Sequence, residues 1–286
     1  MIDAHIHLWR YSPQTHGWID AHMQVLRRHF EPHDLAHVCA GAGVQGVVAV
    51  QAAQTLAEND YLLACAAQTT LIRGVVGWVD LRSPSVTQQL EELAQSPLVC
   101  GVRHIVQDEP EEGFLLGADF GRGIACLVKH QLVYDLLVYA RQLPQALRFV
   151  DRFPNQVFVL DHLGKPQLRT ADWEPWKSLL RQLAQRPNVY AKLSGLVTED
   201  TLPAWSRARV AEAIDHALEC FGPQRLMLGS DWPVCLLAEP YEGVWAHALS
   251  RLTGLSPAER SAVEQDTAVR VYRLDGSRVH AVASPA

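Results

Sequence analysis

A (β/α)8 barrel is the fold this sequence predicts. Eight short apolar runs alternate with stretches of helical period, and 286 residues is a natural length for one such barrel. The runs also end repeatedly on polar residues. Parallel strands in a barrel open all their carboxyl ends on one face, where active sites are built. The competing fold is a doubly wound open sheet, and against it no Gly-x-Gly-x-x-Gly follows any run. No Gly/Ser/Pro-rich linker or charge block divides the chain, so residues 1–286 read as one domain.

The first run, residues 2–8, alternates strictly between apolar and polar. As a strand it would place Asp3, His5 and His7 on one face and Ile2, Ala4, Ile6 and Leu8 on the other. Residues 9–30 show no clear period and read as a long loop, which in a compact domain is usually functional. Glu31-Pro32 starts a helix that Gly41 to Gly43 end, since proline suits the first helical turn and glycine the exit. Residues 46–51 are a buried strand ending on Gln51. The pattern then repeats: helix 57–69, strand 72–79, and a helix 83–95 opened by Ser83-Pro84. Strand 98–105 carries Arg103 and His104 near its end, and an acidic, glycine-containing loop follows. Helix 119–130, strand 132–138, helix 141–153 and strand 157–162 come next. Helix 172–185, strand 189–195, helix 204–220 and strand 225–230 complete the count, the last delivering Asp231-Trp232-Pro233. Ser256-Pro257-Ala258-Glu259 has capping-box spacing and starts a final helix, and residues after Leu274 read as a frayed tail.

Composition narrows the function. The formal charge of −6, 25 basic against 31 acidic side chains with no basic run, argues against nucleic acid as a partner. No apolar stretch is long enough to cross a membrane. Six cysteines without a Cys-x-x-Cys pair read as small buried hydrophobes in a reducing compartment. With no basic segment and apolar run at the start, a cytoplasmic protein is expected. Self-association into a homo-oligomer is left open.

The strand ends gather His5, His7, Gln51, Arg103, His104, His162 and Asp231 at the expected mouth. His-x-His on a strand aims two imidazoles at one point, and neutral imidazole is the commonest metal ligand. Asp231 leaves an apolar strand as a lone carboxylate, suited to bind a metal or to take a proton from water. The alternative for Asp231 is a turn cap, and for His162 a turn histidine bonded to backbone. Arg103 is a permanently charged fork able to polarise a carbonyl, although pairing with Asp108 or Glu109 would also explain it. Adjacent Arg103 and His104 face opposite ways on a regular strand, so one of them enters the pocket. Gln51, His104 and Lys165 offer hydrogen bonds to substrate. Trp9, Trp18, Trp78 and Trp232 are candidates for pocket walls and equally for core packing.

These residues resemble a family. The Asp-x-His-x-His strand and the late strand-end aspartate are similar to the amidohydrolase superfamily. Gly101-Val102-Arg103-His104, Leu160-Asp161-His162-Leu163-Gly164-Lys165-Pro166, Lys192-Leu193-Ser194-Gly195 and Gly229-Ser230-Asp231-Trp232-Pro233 resemble its lactone-hydrolase branch, nearest the L-fuconolactonase-type sugar-lactone hydrolases. The likeness implies a barrel, hydrolysis of a neutral polyhydroxylated lactone such as the five-membered L-fucono-1,4-lactone, and Asp231 as the base. It places His5 and His7 at the metal position and His162 at the sixth-strand histidine; the chemistry of the residues themselves adds His162 and Asp231 as metal ligands and puts Arg103, His104 and Gln51 at the substrate. Many superfamily members carry a histidine after the fifth strand to complete a two-metal site, and this chain has none there. One divalent ion, zinc by type, or no metal is therefore expected. Related barrels decarboxylate aromatic acids or cleave C–N bonds in cyclic amides, and these are the alternative activities. A binding protein that has lost its chemistry is the alternative class.

Overall fold

A computed structural model of the chain describes residues 1–170, 172–200, 202 and 204–276. Eight parallel strands run in sequence order around one sheet: β1 Ile2–Ile6, β2 Gly46–Val50, β3 Ile72–Gly77, β4 Val99–His104, β5 Val133–Leu136, β6 Phe158–Leu160, β7 Val189–Leu193 and β8 Leu226–Leu228. The ring closes between β8 and β1, where the His7 amide donates to the Trp232 carbonyl at 2.6 Å and the Asp231 amide to the His5 carbonyl at 2.9 Å. Helices α1 Pro32–Ala42, α2 Leu56–Ala66, α3 Val86–Leu93, α4 Ala118–Leu127, α5 Leu143–Asp151, α6 Glu174–Ala184 and α7 Arg207–Phe221 link successive strands. After β8 come α8 Tyr241–Ser250, α9 Pro257–Ser261 and α10 Thr267–Tyr272, with a π-helical turn, Ala262–Asp266, joining the last two. The expected (β/α)8 barrel is the observed architecture. Three details differ: the last helix is two helices about a π turn, α8 lies where no helix was expected, and Ala140–Gln142 is a 3-10 turn before α5. The tail expected after Leu274 falls, from residue 277 on, outside the described residues. Among the described residues no helix is long and apolar enough to cross a membrane.

The apolar side chains sort into two layers, as strand alternation requires. Val47, Ala49, Val75, Val99, Tyr134, Phe158, Leu160, Ala191 and Leu226 face the helices. Ile2, Ala4, Val48, Val50, Val76, Cys100, Val133, Val159 and Met227 fill the barrel's interior, closed by Tyr272 and Leu274 at and beyond the end of α10.

The first strand departs from the expected alternation. Asp3 pairs with Val47 and Ile6 with Ala49, so β1 advances three residues while β2 advances two. That extra residue is a bulge, and it re-aims the chain. Ala4 still packs among the interior residues, and His5 meets Lys192 and Arg103 there. Asp3 instead meets Tyr241 of α8, whose hydroxyl donates to Oδ2 at 2.9 Å. Asp3 therefore does not share a face with His5 and His7, and its task is to join strand ends. Its Oδ1 accepts from the Ser230 amide at 2.9 Å and from the His5 amide at 3.1 Å.

Candidate active site

The site is built from the carboxyl ends of β1, β4, β6, β7 and β8. His5 is fully buried, and its Nε2 stands 3.2 Å from His7 Nε2, 3.3 Å from Arg103 Nη1 and 3.7 Å from Asp231 Oδ1. His7 Nδ1 lies 2.7 Å from the Val50 carbonyl. A carbonyl only accepts, so that nitrogen carries a proton, and Nε2 stands 3.4 Å from Asp231 Oδ1. His162 Nδ1 is held by Ser194 Oγ at 2.9 Å, which turns Nε2 to within 4.0 Å of Asp231.

Backbone conformation delivers two of these groups. His162, Leu163 and Lys165 have φ of 52°, 53° and 52°, and Asp231 has φ of 59°. Left-handed backbone disfavours residues with a Cβ by roughly 1–2 kcal/mol each, so surrounding contacts hold both turns in place. Gly195 completes the cradle. At its φ of 64°, a Cβ would lie 2.5 Å from His162 Nδ1 and 3.1 Å from Asp231 Oδ2.

A charged network underlies the imidazoles. Lys192 Nζ, fully buried, donates to Asp135 Oδ2 at 2.5 Å and lies 3.0 Å from Asp161 Oδ1. Asp161 Oδ2 accepts from Arg103 Nη1 at 3.0 Å, and Tyr272 donates to Asp135 at 2.8 Å. His5 Nδ1 sits between Lys192 Nζ at 3.1 Å, which can only donate, and Asp161 Oδ1 at 3.3 Å, which can only accept when ionised. Both neutral tautomers of His5 are thus provided for. One donates from Nε2 to His7, and the other donates from Nδ1 to Asp161 and leaves Nε2 free as a ligand.

Burial pushes His5 well below the ordinary imidazole range, with the Lys192 charge adding to it. Burial also brings His162 down to about 4. Burial works to raise the Asp231 carboxyl, but His162, His7 and His5 together draw it below the usual carboxylate range. At neutral pH an ionised Asp231 therefore stands beside the neutral imidazoles of His5 and His162. Asp135, Asp161 and Asp231 as carboxylates against Lys192 and Arg103 leave one negative charge uncompensated. Ligand atoms of His5, His162 and Asp231 lie within 4.8 Å of one another, with His7 alongside. That donor set and that charge fit a divalent cation.

A cavity of about 630 Å³ opens above the cluster. His7, Arg103, His162 and Asp231 line it from the strand ends, and Trp18, Met23, Tyr139, Lys165 and Glu199 from the loops. Arg103 points inward, and its Nε has no partner among the described residues. The sequence-predicted His104 turns the other way, stacking on Phe114 with ring centroids 4.9 Å apart and bonding Glu109 at 2.6 Å. Gln51 is fully buried and bonds the Arg103 carbonyl at 3.2 Å, so it braces the arginine and does not line the cavity. Of the tryptophans, Trp18 lines the cavity, Trp9 and Trp232 are buried, and Trp78 bonds His104. Sequence reasoning assigned no role to Asp135, Asp161, Lys192, Ser194 or Glu199. The signal for Lys192 was a single charge inside the apolar strand Val189–Leu193.

An eight-stranded barrel with imidazoles and an ionised aspartate at its carboxyl-end mouth defines a barrel hydrolase of the His/Asp type. The comparison with known families agrees: the Amidohydrolase family model matches residues 2–274, and the chain belongs to that family. The L-fucono-1,5-lactonase of Burkholderia multivorans is 42% identical over 289 residues, covering 96% of each chain. The enzyme of the same name from Burkholderia ambifaria is 35% identical over 278 residues, again covering 96% of each. A crystal structure of an amidohydrolase from Burkholderia multivorans with bound zinc superposes with a TM-score of 0.91 at 42% identity, covering 95% of this chain and 98% of that one.

Proposed function

We propose that this protein hydrolyses a sugar-acid lactone to the free acid, with Asp231 as the base. The observation that carries the reading is the Asp231 carboxylate, held ionised in a left-handed turn on the cavity wall beside His7 and His162. Asp231 takes a proton from water as the water oxygen attacks the lactone carbonyl carbon. Arg103 lines the same cavity, and its guanidinium charge stabilises the negative charge that develops on the carbonyl oxygen. The bond from that carbon to the ring oxygen then breaks. Asp231 returns its proton to the departing alkoxide, so one residue serves first as base and then as acid.

His5, His162 and Asp231 would hold a divalent ion with His7 beside them, zinc by the preference of that metal for imidazole and carboxylate. Bound there, it would supply Lewis-acid polarisation of the carbonyl. The two lactonases named above support L-fucono-1,5-lactone, a six-membered ring, over the five-membered ring expected from the sequence. A cytoplasmic location belongs to the same reading, supported by six cysteines that are not joined in disulfides.

Turnover of a panel, with the products identified by NMR, tests the proposal: L-fucono-1,5-lactone, L-fucono-1,4-lactone, a pyrone dicarboxylate, an aromatic carboxylate and a cyclic amide, each with and without chelator. The sugar lactones should be opened with the highest kcat/KM. Preference for the dicarboxylate, decarboxylation of the aromatic acid or cleavage of the amide would overturn it.

A further inference from the structure

The left-handed run that presents His162 does not end there. Lys165, three residues on, has φ of 52° and also lines the cavity. A run of unfavourable backbone positions is maintained for two side chains, and His162 accounts for one of them. Lys165 Nζ reaches Glu199 Oε1 at 3.3 Å and lies 5.4 Å from the centre of the Tyr139 ring. Glu199 follows the 3-10 turn Leu196–Thr198 after β7, beyond Gly195, and lines the same cavity. Both side chains are largely buried, 17% and 14% exposed. Burial raises the Glu199 carboxyl, and Lys165 works against that by stabilising its ionised form.

A largely buried ion pair gains stability only when its remaining lone pairs and protons are also satisfied. A carboxylate has about four acceptor sites and an ammonium three donors. Among the described residues the Glu199 carboxylate accepts a side-chain hydrogen bond from Lys165 alone. What remains is directed at the cavity: acceptors beside a donor, the pattern that reads neighbouring hydroxyls. The wall as a whole is balanced, with Arg103, Lys165 and Arg169 against Asp108, Glu199 and Asp231. Such a wall gives no net attraction to an anion.

Building on the lactonase reading, we propose that Lys165 and Glu199 form the subsite that recognises substrate hydroxyls. Glu199 accepts from one or two of them, Lys165 donates to a neighbour, and together they select polyhydroxylated neutral lactones over unsubstituted or anionic ones.

The test measures kcat/KM of wild type, Glu199→Gln, Glu199→Asp and Lys165→Met on two six-membered lactones, L-fucono-1,5-lactone and unsubstituted δ-valerolactone. The selectivity ratio, hydroxylated over unsubstituted, should fall about 10- to 100-fold in Glu199→Gln and Lys165→Met, the range for buried hydrogen bonds to a charged group. Glu199→Asp should restore part of it. Should one variant not fold, by circular dichroism, the other still carries the ratio. A ratio unchanged within threefold in the folded variants, whatever their absolute rates, would overturn the subsite. A wild type that opens neither lactone would overturn the lactonase reading, and the subsite with it.

Discussion

The two ends of the barrel interior are built from the same eight strands and have opposite chemistry. Toward the amino ends, Ile2, Val48, Val76, Val133, Val159 and Met227 form an aliphatic plug that Tyr272 and Leu274 close. Toward the carboxyl ends of the barrel strands stand His5, Arg103, Asp135, Asp161 and Lys192, buried and ionisable. The boundary is Lys192, bonded to Asp135 and lying 5.3 Å from the ring centre of Tyr272. Cavities repeat the contrast. The groove near Leu274, about 770 Å³, is lined by no histidine or carboxylate among the described residues, whereas the mouth cavity is lined by His7, His162, Asp108, Glu199 and Asp231. Burial alone therefore does not distinguish structural from functional interior; what distinguishes the mouth is buried polarity that only a network can sustain.

Breaking the boundary should have the largest effect on stability. Lys192→Met keeps the side-chain volume but leaves Asp135 and Asp161 without their shared cation, and should cost about 3–5 kcal/mol in urea unfolding. A loss below about 1 kcal/mol would show that the two aspartates are protonated partners needing no ammonium. Met227→Ala, at the aliphatic end, should cost about 2–5 kcal/mol through the cavity it leaves. Its kcat/KM well below the unfolding temperature should stay within about twofold, because a floor residue contributes to stability and not to the transition state. Loss of activity without loss of stability in that variant would erase the distinction between the ends.

Protonation sharpens the comparison more gently. His162, near 6.5 when unfolded, is brought to about 4 in the folded protein by burial foremost. Between those values the unfolded chain binds the proton and the folded one does not, so its contribution to stability is whole above 6.5 and is lost as pH falls toward 4. Urea midpoints should accordingly fall as pH is lowered through this window, and the acid limb of kcat/KM should lie near pH 4. An acid limb at pH 6.5 would show an imidazole that is solvated and outside the network.

Much of this division was legible in the sequence, because apolar runs and the residues that end them are local signals. Eight strands, the barrel, and the placement of His5, His7, Arg103, His162 and Asp231 near one mouth follow from that pattern. Register was not legible. Strict alternation in residues 2–8 put Asp3 beside His5, and only pairing with β2 reveals the extra residue that separates them. A shift between β3 and β4, where Val75 pairs with Val99 but Val76 with Gly101, similarly precedes the point where Arg103 turns inward and His104 outward. Helix α8, Tyr-Glu-Gly-Val-Trp-Ala-His-Ala-Leu-Ser, has a glycine and apolar residues on all sides and so gives no amphipathic signal. The Lys192, Asp135 and Asp161 cluster joins three strands, and no single run announces a partner on another.

On the proposed function, the ionisable end serves lactone hydrolysis with Asp231 as base. Asp231→Asn replaces the carboxylate by an isosteric amide that cannot accept the proton. Acid release from L-fucono-1,5-lactone, with folding checked by circular dichroism, should fall about 10²- to 10⁴-fold, the usual contribution of a general base. A folded Asp231→Asn protein that keeps near wild-type turnover would contradict the account.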